Sequence, residues 1–195
     1  LTYKATEQVQ LALGFSAFPL EHRLLPALYV LSTILGGNMS SRLFIRIRER
    51  LGLCYMIRSS VTAYEDAGNF VVQCGCDRQR VQLALKEILN ELQKFSTEKV
   101  TGEECANAKE FLRGRMTLEL EDSEQIADFF GKQAILEKKI LQPDEVLRRV
   151  QRVRPEDIQK VARDLFRQSR SNLILIGPDK KSDPFLRILR QGFES

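Results

Sequence analysis

The sequence has one histidine in 195 residues, and that scarcity excludes more than any other feature of its composition. Catalytic zinc sites are built from two or more imidazoles in most of their forms, so His22 cannot hold the metal alone and the chain does not read as a self-contained zinc hydrolase. Other signatures are missing too. The segment Gly36-Gly37-Asn38-Met39-Ser40-Ser41 leads into a helix start, where free N–H groups attract anions, but it lacks the Gly-Lys-Ser/Thr ending of a phosphate loop. A helix stop followed by a helix cap explains the same letters. There is no Gly-x-Ser-x-Gly nucleophile elbow. No apolar run approaches the ~18 residues of a membrane span, and no signal peptide opens the chain. Glycine and proline are sparse, at 11 and 6 residues, which argues against a low-complexity chain. The four cysteines, Cys54, Cys74, Cys76 and Cys105, form no Cys-x-x-Cys pair. Cys74 and Cys76 alternate along an apparent strand, poorly placed to bridge one another or to hold zinc. They read as buried free thiols, which points to a reducing compartment, the cytoplasm.

What is present describes a folded domain. Apolar residues make up 43% of the chain and charged residues 29%, with 30 Lys and Arg against 26 Asp and Glu. The length is enough to bury roughly 70% of the surface an unfolded chain exposes, without disulfide support. The net charge of +4 is mild. Arg148, Arg149, Arg152 and Arg154 alternate with Val150 and Val153 as a solvated helix face does, so nucleic-acid binding is not expected.

Periodicity gives the element order. Residues 8–18 alternate Val9, Leu11, Leu13 and Phe15 with smaller or polar neighbours, the period of a half-buried strand. Leu24, Leu28, Leu31 and Leu35 recur at helical spacing, and Gly36-Gly37 reads as the stop. Ser40 or Ser41 caps a second helix, which ends at Gly52. Residues 55–64 and 69–76 form a hairpin joined by a short polar link. Amphipathic helices follow from Val81 and from Thr101, the latter with Glu103 and Glu104 in its first turn. Helical composition persists to about residue 140. Pro143 and Pro155 open two more helices, and residues 171–177 make a last strand. The expectation is an α+β fold, helices packed on one face of a mainly antiparallel four-stranded sheet, as a single domain over residues 1–195.

Three groups of residues carry chemistry a site could use. His22, with no second histidine in helical reach, reads as a loop or helix-start residue. The acidic run Glu119, Glu121, Asp122, Glu124 and Asp128 lacks the spacing and glycine of a calcium loop and reads as a solvated face. The helix over residues 42–51 carries four arginines. On a wheel of 100° per residue, Leu43, Phe44, Ile47 and Leu51 form the buried stripe, and Arg42, Arg46 and Arg50 fall on the far side. Arg48 stands apart at the border of the stripe, where its stem can lie on apolar surface and its guanidinium can reach a partner. Seven residues on, Tyr55 sits at the mouth of a strand with a hydroxyl able to donate beside it. Spacing alone favours a structural ion pair and a core tyrosine.

The stretches LGGNMSSRLFIRIRERLGLCY (35–55) and AYEDAGNFVVQCGCD (63–77) resemble the insulinase/pitrilysin-type zinc metallopeptidases, the family of insulin-degrading enzyme and mitochondrial processing peptidase. In that family two similar halves face each other around a closed chamber. Only the first half carries zinc, on a His-x-x-Glu-His motif that this sequence lacks. The resemblance therefore implies the C-terminal, zinc-free half, with zinc and the catalytic water in an N-terminal partner half, fused or separate. It implies that Arg48 and Tyr55 hold the peptide substrate near the scissile bond, and that this chain alone is not catalytic. The glycine turn at 36–38 is far shorter than the glycine-rich loop of the processing peptidase's non-catalytic subunit. The alternative under the same fold is a structural or assembly subunit without peptidase activity, as in the respiratory bc1 complex. The first residue is Leu1, which fits a module of a longer polypeptide. In isolation the expectation is a monomer or weak homodimer without zinc.

Overall fold

The computed structural model describes residues 1–193. The alternating segment forms β2 (Gln8–Ala17), preceded by a two-residue strand β1 (Thr2–Tyr3). Helix α1 (Leu25–Gly36) and a π-helix (Phe44–Arg50) lead into the hairpin of β3 (Cys54–Ala63) and β4 (Gly68–Asp77). Helices α2 (Val81–Thr97), α3 (Gly102–Glu119), α4 (Ser123–Leu136), α5 (Pro143–Gln151) and α6 (Pro155–Leu165) follow. A 3-10 turn (Gln168–Arg170), β5 (Ser171–Gly177) and α7 (Asp183–Gln191) close the chain.

The strands make one sheet in the order β1-β5-β2-β4-β3. This corrects the four-stranded expectation: among the described residues there are five strands, and the sheet is mixed, because β1 runs parallel to β5 while the other neighbours are antiparallel. Two residues are too few to show a period, so β1 had no signature in the sequence. Helix α7 also lay outside the expected elements, although Phe185 and Leu189 keep helical spacing and both are buried.

Alternation decides the faces of the sheet. Val9, Leu11, Leu13 and Phe15 point inward at 2% exposure or less, and Phe70, Val72, Cys74 and Cys76 continue that face on β4. Phe15 meets the ring of Phe166 edge-on at 5.2 Å, and with Phe70 it joins sheet and helices in the core. The opposite face stays open: Gln8, Gln10, Arg58, Ser60, Thr62, Asn172, Ile174 and Ile176 are all exposed. Among the described residues, no helix is long and apolar enough to cross a membrane.

The two glycines that end α1 do so for a different reason than a left-handed cap. Gly37 has φ −83°, an ordinary helical value. What they supply is space: a Cβ on Gly36 would stand 2.7 Å from the Ser59 backbone nitrogen, and one on Gly37 would stand 2.7 Å from the Thr33 Cα. The end of α1 thus lies directly on β3, where the Ser59 hydroxyl donates to the Ser32 carbonyl over 2.8 Å. The turn after it is held by Asn38 rather than by a serine cap. The Asn38 side chain accepts the Ser40 N–H at 2.9 Å, and its carbonyl accepts the Ser41 hydroxyl at 2.5 Å.

Candidate functional site

The segment carrying Arg48 is a π-helix, wider than the α-helix the 100° wheel assumes, and π turns recur at functional positions. The Leu51 N–H bonds the Arg46 carbonyl five residues back at 3.2 Å. Widening the turn redistributes the faces. Leu43 and Ile47 are fully buried, but Leu51 drops out of the stripe and is 38% exposed. Arg42 and Arg46 also depart from the solvated face expected of them. Arg42 clamps Glu104 of α3 with two bonds of 2.7 and 2.9 Å and lies 4.4 Å over the Phe95 ring. Arg46 reaches Glu87 of α2 at 3.2 Å. These two arginines bolt the π-helix to the helical layer. Arg48 is left differently. Its guanidinium rests 4.8 Å over the Phe44 ring, and among the described residues no carboxylate lies within ion-pair distance of it.

Between Arg48 and Tyr55 the chain reverses at Gly52, whose φ of +58° is the one positive value among the described residues. A side chain there would cost about 1 kcal/mol or more, so the glycine sets the entry into β3. Arg80 donates to the Gly52 carbonyl and fixes the turn against the start of α2. Cys54 then pairs with Cys76 while Met56 pairs with Gly75, leaving Tyr55 as the extra residue of a β-bulge. Bulges redirect a side chain locally. Here the bulge lays the Tyr55 ring across Gly75, where a Cβ would collide with the ring and its hydroxyl. The hydroxyl arrives beside Gln10, the β2 residue paired with Gly75. The Gln10 Nε2 donates to the tyrosine oxygen, so the tyrosine's own proton remains available to another acceptor. Tyr55 is 43% exposed.

Arg48 and Tyr55 therefore sit at the two ends of one turn, each against its own support: Phe44 under Arg48, Gln10 and Gly75 under Tyr55. The thiol of Cys54, the residue next to Tyr55, is held below its ordinary value by the neighbouring Cys74 thiol and, after it, by the Arg48 charge. Gln10, Gly75 and the outward Arg58, whose Nε donates to Gln73 over 2.7 Å, carry no local sequence signal. Only strand register reveals them, because Gln10 lies 45 residues from Tyr55.

The remaining groups are structural. His22 stacks on Phe18 with ring centroids 4.0 Å apart, and its Nδ1 accepts the Leu24 N–H. Burial pushes its pKa down. Asp122 caps α4 by accepting the Glu124 N–H at 2.7 Å, and Asp128 and Glu119 pair with Lys132 and Arg115. The donor set does not fit a zinc ion: among the described residues no group of three or more His, Cys, Asp or Glu is arranged to hold a metal. A cleft of about 630 Å³, lined by Tyr29, Phe111, Met116, Phe129 and Val146 among others, includes neither Arg48 nor Tyr55.

This architecture recurs in solved structures. A protease from Helicobacter pylori superposes with a TM-score of 0.83 over 90% of this chain and 43% of its own, at 21% identity. A chain of complex III2 from Candida albicans gives 0.85 over 98% of this chain and 48% of its own, at 13% identity. At those identities the likeness is one of fold. Sequence narrows it: an uncharacterized zinc protease of Streptomyces coelicolor is 35% identical over 177 residues, covering 91% of this chain but 38% of the relative. Residues 2–112 match the model of the peptidase M16 inactive domain, and the chain belongs to that family. It corresponds to a non-catalytic domain and spans about two fifths of the length of such relatives.

Proposed function

We propose that this chain is the zinc-free C-terminal half of a zinc metalloendopeptidase, which closes the chamber and holds a peptide against a zinc-bearing N-terminal half. In that reading the metal-activated water belongs to the partner half, and this chain contributes positioning and charge stabilisation. The observation that carries it is the Tyr55 hydroxyl: the bulge presents it on the open face, Gln10 fixes its oxygen as an acceptor, and its proton is left to donate. A donor held in place before the reaction stabilises an oxyanion without reorganisation. Arg48, neutralised by no carboxylate among the described residues, would clamp a substrate carbonyl or carboxylate at the other end of the turn.

The assembly-subunit reading gains support only from the likeness to a complex III2 chain, which is one of fold. The 35% identity to a relative named as a zinc protease favours the peptidase half. The domain is proposed to act as one unit over residues 1–195, in a reducing cytoplasm, and to be a monomer or weak homodimer when separated from its partner. Tyr55→Phe in the complete two-half enzyme is expected to lower kcat by about 10²–10³, the worth of one oxyanion donor, while the lost Gln10 bond lowers Tm by only a few degrees and leaves the fold intact. Full activity in that variant overturns the assignment.

A further inference from the structure

Three cysteines gather at the point from which Tyr55 is presented. Cys54 is the residue before it, and Cys74 and Cys76 flank Gly75, over which its ring lies. The ladder makes Cys54 and Cys76 direct cross-strand partners. Opposed residues of antiparallel strands have Cα atoms about 4.5–5.5 Å apart, inside the ~4.4–6.8 Å window of a disulfide. Cys74 and Cys76 stand side by side about 6.8 Å apart on one strand with parallel Cα–Cβ bonds, which disfavours a bridge between them.

Exposure and acidity single out Cys54 further. Cys74 and Cys76 are buried, whereas Cys54 is half-buried. The Cys74 thiol lies between the other two along the strand pair, and its interaction with them holds Cys54 and Cys76 below the ordinary thiol value while Cys74 itself is pushed up. At Cys54 the Arg48 guanidinium adds to the effect. A half-buried thiol of lowered pKa, beside a second thiol able to resolve it, is the arrangement of an oxidant-sensitive site.

We propose that Cys54 is an oxidation site that closes a Cys54–Cys76 disulfide and thereby withdraws Tyr55 from its working position. With a hydroperoxide as oxidant, the Cys54 thiolate attacks the terminal peroxide oxygen. An S–O bond forms, the O–O bond breaks, and the departing hydroxide or alkoxide takes up a proton. The Cys76 sulfur then attacks Cys54 Sγ. The S–S bond forms, the S–O bond breaks, and the released hydroxide accepts the Cys76 proton as water. Two thiols have lost two electrons, and the peroxide has gained them. The Cys54 sulfur must turn onto Cys76, its cross-strand partner, for this. Tyr55 is the unpaired residue between Cys54 and the ladder at Met56, so it absorbs the adjustment first. The effect on catalysis rests on the substrate-holding role of Tyr55, whereas the disulfide does not.

The experiment treats the complete, reduced enzyme with hydrogen peroxide. It maps disulfides by mass spectrometry of a non-reducing digest and measures turnover before and after dithiothreitol. The expected result is a Cys54–Cys76 linked peptide, at least a tenfold fall in turnover, and recovery on reduction. A Cys76→Ala variant should keep its activity through the same treatment. Absence of the linked peptide, or a bridge to Cys74 instead, overturns the site. A Cys54–Cys76 bridge with undiminished turnover overturns its coupling to Tyr55, provided Tyr55→Phe is impaired in the reduced enzyme. If Tyr55→Phe is fully active there, the substrate-holding reading has failed, and the digest still decides the disulfide.

Discussion

Gly75→Ala should separate activity from stability more cleanly than any change at the candidate residues themselves. Gly75 lies in β4 beneath Tyr55, and an alanine Cβ would run into the tyrosine ring and hydroxyl. The backbone itself accepts alanine, because Gly75 has no positive φ. Replacing glycine inside a regular element favours the fold by about 0.5–1 kcal/mol. Against this, the ring must swing aside and give up its bond with Gln10, about 0.5–1.5 kcal/mol. Little burial is lost, since the side chain is already 43% exposed. The two effects cancel to within about 1 kcal/mol, a Tm shift of at most ~4 °C for a domain of this size. The displaced hydroxyl, in contrast, no longer points where the Gln10 bond held it. On the proposed substrate-holding role of Tyr55, the complete enzyme should lose a large part of the ~10²–10³ in kcat attached to one oxyanion donor. Since both changes remove the same donor, Gly75→Ala combined with Tyr55→Phe should be no slower than Tyr55→Phe alone. The assay is steady-state turnover of a quenched fluorescent peptide alongside thermal unfolding. Full turnover in Gly75→Ala, or independent, multiplying losses in the double variant, would refute the reasoning.

Other parts of the structure make separate predictions. The hydrogen bond from Arg42, and after it those from Thr101, holds the Glu104 carboxyl below its ordinary 4.5. A depressed folded value contributes stability that is present above the unfolded pKa and is lost as pH falls through the folded one. Urea unfolding from pH 5 to pH 3 should therefore show a steeper loss of stability in the native chain than in Arg42→Met, and equal slopes would contradict the pairing. Gly36→Ala should destabilise by about 1–3 kcal/mol, because its Cβ meets the Ser59 backbone nitrogen at 2.7 Å and β3 cannot withdraw without breaking the Ser59–Ser32 bond. An unchanged urea midpoint would show that α1 is not pressed on β3 in this way.

What could be read from the sequence depended on whether the controlling contacts were local. Strand β5 matches its expected bounds of 171–177, since a short β-branched run between turn signals carries its own period. The proline-led starts of α5 and α6 are likewise where the acidic first turns placed them. The π-helix was not legible, because an apolar stripe at helical spacing does not separate five-residue from four-residue bonding, and the partners of its Arg42 and Arg46, Glu104 and Glu87, lie 62 and 41 residues away. The same limit applied at the site. Arg48 and Tyr55 are seven residues apart and visible as a pair, whereas the partners that orient Tyr55 come from another strand. Gly75 looked like an ordinary residue of an apolar run until the bulge brought a ring over it.

The position of the bulge follows from the order of the strands. An extra residue disrupts the ladder wherever it is inserted, so in a central strand it disturbs two pairings and at an edge only one. β2 is central, and its pairing with β4 runs without interruption from Gln8 to Ala17. β3 is the edge, paired on one side only, and of its ten residues just Ile57 and Ser59 are buried. It therefore gives up little core packing when its register shifts. An outward-facing tyrosine on a bulge is most readily accommodated at this edge, where the neighbouring face is open to solvent. The thiols of Cys54, Cys74 and Cys76 lie on the opposite side of the same strand pair. A change of register small enough to spare the core can still be transmitted through Cys54 to Tyr55, its immediate neighbour.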